Sequence, residues 1–274
     1  MTGAHTHTDG PAAYRIVLAG HLDDHWSDWL GGAALVRHDD GTTSVTAEVV
    51  DQAQLFGLLG AVRDMGATLV SLRHDSRPAV VPALDRALAT DRLTLRPATA
   101  EDADATWAYR RLDSVNEWLT GSPTTLEEYR RLFGDPSRLA TTVVVETSGA
   151  NGRATRIIGD FMLRREDAWA QAEVAERARG TQAELGWVLD PAHTGVGYAT
   201  EAVRELLRYC FEDLGVRRVV ANCFLGNDAS WRLMERLGMR RETHAVAESL
   251  HRTGGWLDTV AYALLVEEWR EWRL

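Results

Sequence analysis

The residues best placed for chemistry lie in one stretch, Glu184-Leu-Gly-Trp-Val-Leu-Asp-Pro-Ala-His-Thr-Gly-Val-Gly-Tyr-Ala-Thr-Glu201. An apolar run ends at Asp190-Pro191, and Gly195 and Gly197 follow. Next comes a helical pattern with Ala199, Val203, Leu206, Leu207, Cys210, Phe211 and Leu214 on one side. A glycine turn that opens a helix aims several backbone N–H groups at one point. The first four lack a partner inside the helix, and the helix dipole adds positive potential there. The product is an anion site suited to a pyrophosphate. Three readings of the glycines stand side by side. They cap a strand-to-helix turn, or open a dinucleotide site, or cradle coenzyme A. The dinucleotide reading lacks its third glycine, because Thr200 stands there, and its ribose-binding acid, because the next strand ends at Asn222-Cys223.

Thr194-Gly195-Val196-Gly197-Tyr198-Ala199-Thr200-Glu201 resembles the coenzyme A turn of the GNAT acetyltransferase superfamily. The likeness is greatest to its branch of ribosomal-protein N-terminal acetyltransferases. Downstream, Asn227-Asp-Ala-Ser230 and the helix ending in Leu237-Gly238-Met239 resemble the same branch, as does the opening Arg92-Leu-Thr-Leu-Arg-Pro97. The likeness spans residues 92–265, with its motifs in the family's order.

That resemblance implies a set of roles. The backbone of Val188 and Leu189 would bond the pantetheine arm of acetyl-CoA. The N–H groups of Val196, Gly197, Tyr198 and Ala199 would hold the pyrophosphate. Asn227 and Ser230 would meet the cofactor near its sulfur. The strand ending at Leu189 would splay from the one ending at Cys223 and house the acyl group. Two positions depart from the pattern. Thr194 replaces a Gln or Arg that reaches phosphate, so the cofactor should bind more weakly. Met234 stands where many members place a Tyr that protonates the leaving thiolate, and Met has no proton to give. Ser230 or a water would take that part.

Direct transfer needs a neutral amine, because an ammonium has no lone pair for a thioester, so a base is required. Glu184 is the first candidate, since period 2 puts it on one strand face with Gly186 and Val188. Its plainer reading is an exposed or salt-bridged carboxylate. Asp258 is the second candidate, or else a turn residue after Gly254-Gly255. His193 beside the turn is a third candidate, because histidine is the side chain suited to proton transfer near neutral pH, or it is simply a surface histidine. Asn222 faces the splay and would orient the acceptor, or satisfy strand ends. A backbone N–H near Leu189 is the natural oxyanion donor.

These residues require a frame. The pattern predicts an α/β (α+β) protein with a GNAT-type mixed, mostly antiparallel sheet, helices on both faces, and a small α+β domain in front. Residues 1–13 read as a disordered tail. His5 and His7 lie there, and two histidines alone make a poor metal site. Residues 14–74 read as β-β-β-α-β. Strands are expected at Tyr14–Ala19, Ala33–His38, Thr43–Val49 and Thr68–Leu72. The second and third are joined by a hairpin at Asp39-Asp40-Gly41-Thr42. Asp51 should cap a helix carrying Leu55, Leu58, Leu59 and Val62. Trp26 and Trp29 read as packing under a loop, or as a binding surface. Residues 75–91 read as a linker with a short helix at Ala83–Leu88.

The expected domain, residues 92–274, has strands at Leu93–Pro97, Leu139–Glu146, Ile157–Arg164, Ala183–Leu189, Arg218–Cys223, Arg240–Ser249 and Thr259–Leu265. Helices are expected at Glu101–Leu119, Leu126–Phe133, Ala168–Arg179, from the glycine turn to Leu214, at Ala229–Leu237 and at Glu267–Trp272.

Bulk properties narrow the function. The chain has 274 residues, 45% hydrophobic and 26% charged, with a formal net charge of −10. That charge argues against nucleic acid and suits a cationic partner such as an amine. No apolar run is long enough for a membrane span, and Met1 to Pro11 lacks signal-peptide blocks, so a cytoplasmic protein is expected. Cys210 and Cys223 form no metal or disulfide pattern and read as reduced core thiols, so no metal is expected. All 30 basic residues are Arg, leaving no lysine side chain to acetylate. The expectation is acetyl transfer from acetyl-CoA to a primary amine, either a protein N-terminus or a small amine. The other class considered is an acyl-CoA-binding sensor without turnover, with the front domain docking a partner. A third idea is that the front domain selects the acceptor. A homodimer stays open.

Overall fold

The computed structural model describes residues 12–23, 25–30, 32–38, 40–49, 52–75, 83–148 and 155–272. The expected N-terminal tail up to residue 11, with its two histidines, lies outside the described residues. So do Asp39 of the hairpin turn, the Asp51 cap, residues 76–82 of the linker and the Gly/Asn-rich loop at 149–154. The chain divides into two compact units, Met1–Ala79 and Val80–Leu274.

The first unit is a four-stranded sheet in the order β2-β3-β1-β4. Its elements are β1 (Ala12–Ala19), α1 (Trp26–Trp29), β2 (Ala34–Arg37), β3 (Thr42–Val49), α2 (Gln52–Asp64) and β4 (Leu69–Asp75). Ile16, Leu18 and Val45 from the strands pack with Leu30, Ala33 and Val62, and Leu58 and Leu59 of α2 lean on them. The predicted order is present, with one added turn, α1. Trp26 and Trp29 meet edge to face there at 5.6 Å, and Trp29 remains 52% exposed.

The second unit is an eight-stranded sheet in the order β11-β12-β10-β9-β8-β7-β6-β5. Its strands are β5 (Leu88–Ala89), β6 (Leu93–Pro97), β7 (Thr142–Thr147), β8 (Ile157–Glu166), β9 (Gln182–Leu189), β10 (Arg218–Phe224), β11 (Arg240–His251) and β12 (Gly255–Leu265). All neighbours pair antiparallel except β9 with β10. The helices are α3 (Ala103–Arg110), α4 (Asp113–Asn116), α5 (Leu126–Phe133), α6 (Pro136–Thr141), α7 (Ala175–Ala178), α8 (Tyr198–Arg208), α9 (Asp228–Arg236) and α10 (Val266–Trp272). They cover both faces, as the alternation of β7 shows. Val143 and Val145 join the core under α8 and α9, while Val144 packs with Ala103, Tyr129 and Phe133 of α3 and α5. This is the predicted fold.

Several elements differ from expectation. Ala83–Leu88 is not a helix. Leu84 and Leu88 are buried in the main core, and Leu88 pairs with Leu95 as part of β5. The helix expected over Glu101–Leu119 is broken into a 3-10 turn (Ala100–Asp102), α3 and α4, because Leu112 is extended. The strand expected from Leu139 begins at Thr142. Asp135 caps α6 by accepting from the Ser137 N–H at 2.9 Å, and Pro136 occupies the first turn. The insertion at Ala168–Arg179 holds only single turns, Ala172–Val174 and α7. The helix expected to Leu214 is regular to Arg208 and then widens into one π turn, Tyr209–Asp213. β12 starts at Gly255, four residues before the predicted Thr259.

Candidate active site

β9 and β10 are parallel but pair only at Arg218↔Gln182, Val219↔Ala183 and Val220↔Glu184. Beyond that point β9 stays bonded to β8 as far as Leu189, and β10 stays bonded to β12 as far as Phe224. The two strands therefore open a wedge between them. A cavity fills it, with Gly186, Val188 and Leu189 on one side and Asn222, Cys223 and Phe224 on the other. One edge of β9 is thus free of any strand over its last five residues, leaving backbone groups that a ligand can satisfy.

The glycine turn closes one end of this wedge. Gly195 and Gly197 have φ of 77° and 89°, a left-handed conformation that disfavours other residues. A side chain on Gly195 would point into open space, while one on Gly197 would come within 3.4 Å of Arg92. The N–H groups of Gly195 through Thr200 have no acceptor among the described residues. By contrast, Thr194 N–H bonds the Pro191 carbonyl at 3.3 Å and Glu201 N–H that of Gly197 at 3.0 Å. Free donors at a helix start are what a pyrophosphate needs. Val196 is exposed and presents only its backbone. Tyr198, Ala199 and Thr194 line the cavity, but the Thr194 hydroxyl donates to the Pro191 carbonyl at 2.9 Å.

A clamp from the turn between β5 and β6 fixes the glycine turn, and sequence reading missed it. Arg92 donates through its backbone N–H (3.0 Å) and its Nε (2.6 Å) to Glu201, and through Nη1 to the Val196 carbonyl at 3.0 Å. Its guanidinium lies 4.7 Å from the Tyr198 ring centroid. Thr90 donates to Glu201 at 2.5 Å. Burial works against the Glu201 charge, but these bonds outweigh it and hold the carboxyl below the usual glutamate range.

On α9, Asn227 is the cap, its side-chain oxygen accepting from Ser230 N–H at 3.3 Å. Asn227, Ser230 and Leu233 all line the cavity. Met234 is turned away into the main core at 1% exposure.

The candidate bases sit differently from one another. Glu184 accepts from Asn222 Nδ2 at 3.0 Å and from Arg164, and it backs the cavity wall through Asn222 without itself lining it. The structure therefore joins Glu184 and Asn222, and the ion pair with Arg164 is the salt-bridged carboxylate of the plainer reading. Asp258 is likewise absent from the cavity wall. It accepts from Ala247 N–H at 2.9 Å and His244 Nε2 at 2.6 Å, and the Ala247 bond, then His244, holds its carboxyl below the ordinary range. His193 pairs with Asp190 at 3.1 Å and also stands off the wall.

The other end of the cavity carries residues that the sequence did not mark. Trp118 lies 6.0 Å from Phe224 and 5.5 Å from His251, ring to ring, and packs over Gly226. His251 Nε2 donates to the Glu117 carbonyl at 2.7 Å, while its Nδ1 accepts from Gly254 N–H at 3.0 Å. Arg252 donates to the Leu119 carbonyl. These bonds tie the segment after α4 to the β11–β12 hairpin and form a cover. Glu248, on β11, also lines this end.

Comparison with known proteins agrees with the geometry. The profile of the Acetyltransferase (GNAT) domain matches residues 92–240, so the chain belongs to the GNAT acetyltransferase family and is an acyltransferase. Residues 13–73 match a domain of unknown function, DUF8691. An uncharacterized N-acetyltransferase of Bacillus subtilis, YnaD, is 30% identical over 66% of this chain and 98% of its own length. The putative ribosomal N-acetyltransferase YdaF of the same species is 36% identical over 32% of this chain and 48% of its own. A crystal structure of a GNAT-family acetyltransferase from Bacillus anthracis superposes with a TM-score of 0.55 at 28% identity, covering 66% of this chain and 99% of that one. Among the described residues no helix is long and apolar enough to cross a membrane.

Proposed function

We propose that this acetyltransferase moves an acetyl group from acetyl-CoA to a primary amine by direct attack within a ternary complex. The observation that carries the reading is the wedge. It has a free β9 edge for the pantetheine arm, unsatisfied N–H donors at one end for the pyrophosphate, and polar groups at the other for an acceptor.

In this reading the amine nitrogen attacks the thioester carbon while backbone N–H groups near Leu189 take the developing oxyanion charge. Before that attack the ammonium gives up one proton, and Glu184, which accepts from Asn222 of the cavity wall, is the base assigned to receive it. As the C–S bond breaks, the Ser230 hydroxyl gives its proton to the thiolate and takes the surplus proton of the attacking nitrogen, so the products are the neutral amide and the CoA thiol. Val188, Leu189, Val196, Gly197, Tyr198 and Ala199 hold the cofactor through their backbones, with Asn227 near its sulfur end. The acceptor is a protein N-terminus, in keeping with the resemblance to ribosomal-protein acetyltransferases, or a small amine. The net charge of −10 favours a cationic acceptor of either kind.

The test is free-thiol release from acetyl-CoA with a panel of N-terminal peptides, spermidine and an aminoglycoside, beside Glu184→Gln. At least one amine should raise release. The variant should lower kcat by about 10²–10⁴-fold, the range of general base catalysis, with CoA affinity unchanged. CoA binding with no response to any of these amines would refute the acceptor class.

A further inference from the structure

We infer that Glu248 anchors the ammonium group of the acceptor and that Asp258 positions it through the backbone of Ala247. The inference rests on the amine-acceptor reading and names the residue that selects for charge.

The first observation is the wall. Among the cavity-lining residues, Glu248 is the one carboxylate and Arg236 the one cation. Glu248 accepts a hydrogen bond from the Thr259 hydroxyl, and among the described residues no cation pairs with it. Glu184, in contrast, is already paired with Arg164. An unpaired carboxylate on a cavity wall is a site for a positive charge, and a charge-assisted hydrogen bond is the strong kind.

The second observation is place. Thr259, which holds Glu248, pairs with Phe224 on β10. Phe224 is the last residue of that strand, beyond Val220 where the wedge begins, and the Trp118 ring lies 6.0 Å from it. Aromatic faces beside a carboxylate suit an ammonium on its way to the thioester.

The third observation is construction. Between Ala245↔Thr259 and Ser249↔Leu257, β11 takes four steps while β12 takes two. The surplus forms a bulge at residues 246–248, and a bulge re-aims a side chain. Ala247 has φ of 49°, which no other non-glycine among the described residues shows above zero. A left-handed alanine is strained and persists only where its surroundings fix it. Asp258 does so by accepting the Ala247 N–H, while His244 binds its other oxygen and the Asp258 carbonyl accepts from Leu225 N–H at 2.9 Å. The sequence-based candidate base thus acts on Glu248 through one backbone bond.

The experiment is calorimetric titration of CoA-saturated protein with two probes, spermidine and a tetrapeptide with a free N-terminus. At least one should bind. Glu248→Gln should weaken the tighter probe by about fivefold or more, roughly 1 kcal/mol at 1.4 kcal/mol per decade. Glu248→Asp, which keeps the charge, should recover part of that loss. Asp258→Asn should weaken the same probe while CoA affinity stays at the wild-type value, which a general loss of structure would not leave intact. Failure of both probes to bind, or a Gln variant that binds the tighter probe within twofold of wild type, overturns the inference. Turnover is a separate readout: binding that needs Glu248 without thiol release would refute the transfer reading and leave the anchor standing.

Discussion

At the residue scale, the glycine turn makes the sharpest demand. Gly197 holds φ of 89° as the cap of α8. Gly197→Ala places an L-residue in left-handed backbone at a cost of about 1–2 kcal/mol. It should weaken CoA binding by about tenfold, read by titration with CoA, and lower the melting temperature. The two thiols make a second prediction. Burial pushes Cys210 to about 12 and Cys223 to about 11, so neither is thiolate near neutrality. Alkylation by iodoacetamide at pH 7.5 should be slow for both. Cys223 lines the cavity and should be the one that CoA protects further. The turn was legible in the sequence because its chemistry is local: two glycines, a strand before, a helix after. Glu248 and Trp118 were not. Their places depend on a register slip in β11 and on bonds from His251 and Arg252 to carbonyls more than a hundred residues away. No local spacing encodes either.

At the element scale, two polar joints hold the frame. Glu201 locks α8 to the turn between β5 and β6, and its carboxyl is held below the ordinary value of 4.5. A group depressed in the folded state contributes stability above its unfolded pKa and loses it as pH falls through the folded one. Wild type should therefore exceed Glu201→Gln in melting temperature at pH 7, and the gap should shrink only below about pH 4.5, measured by thermal scans across pH. The second joint ties α3 to β8. Asp160, 3% exposed, accepts from Tyr109 at 2.8 Å and from Arg110. Arg110→Met strands a buried carboxylate and should cost about 3–5 kcal/mol, read from urea unfolding. Strands with strong apolar runs, such as Val143–Val145, were legible from sequence. The break at Leu112, the early α6 and the short β5 were not, because tertiary contacts outweighed local pattern there. Asp135-Pro136 was nonetheless a readable start signal for α6.

At the scale of the whole molecule, the chain is two units with separate cores, one matching a domain of unknown function and one the acetyltransferase domain. A fragment beginning at Val80 should bind CoA as the full chain does, by titration. Its kinetics with each amine then decide whether the front unit selects the acceptor: unchanged kcat/KM would exclude that role. A boundary was expected between residues 75 and 91, where the prolines at 78 and 82 interrupt the pattern, and the chain divides between Ala79 and Val80; the mixed, mostly antiparallel sheet was expected from the family resemblance, whereas the order of its strands was not read from the sequence. The edge of the second unit was misplaced, since the family likeness begins at Arg92 whereas the core begins earlier.

That earlier edge limits where the chain can be cut and rejoined. Leu84 and Leu88 are in the core, the Asp85 carboxylate accepts from Tyr209 at 3.1 Å, and Thr90 reaches Glu201. A splice placed at Arg92, where the family match starts, would discard all of these, and with them part of the clamp on the glycine turn. Any exchange of the front unit has a usable seam only upstream of Leu84. The nine residues 83–91, which look like spacer, travel with the enzyme.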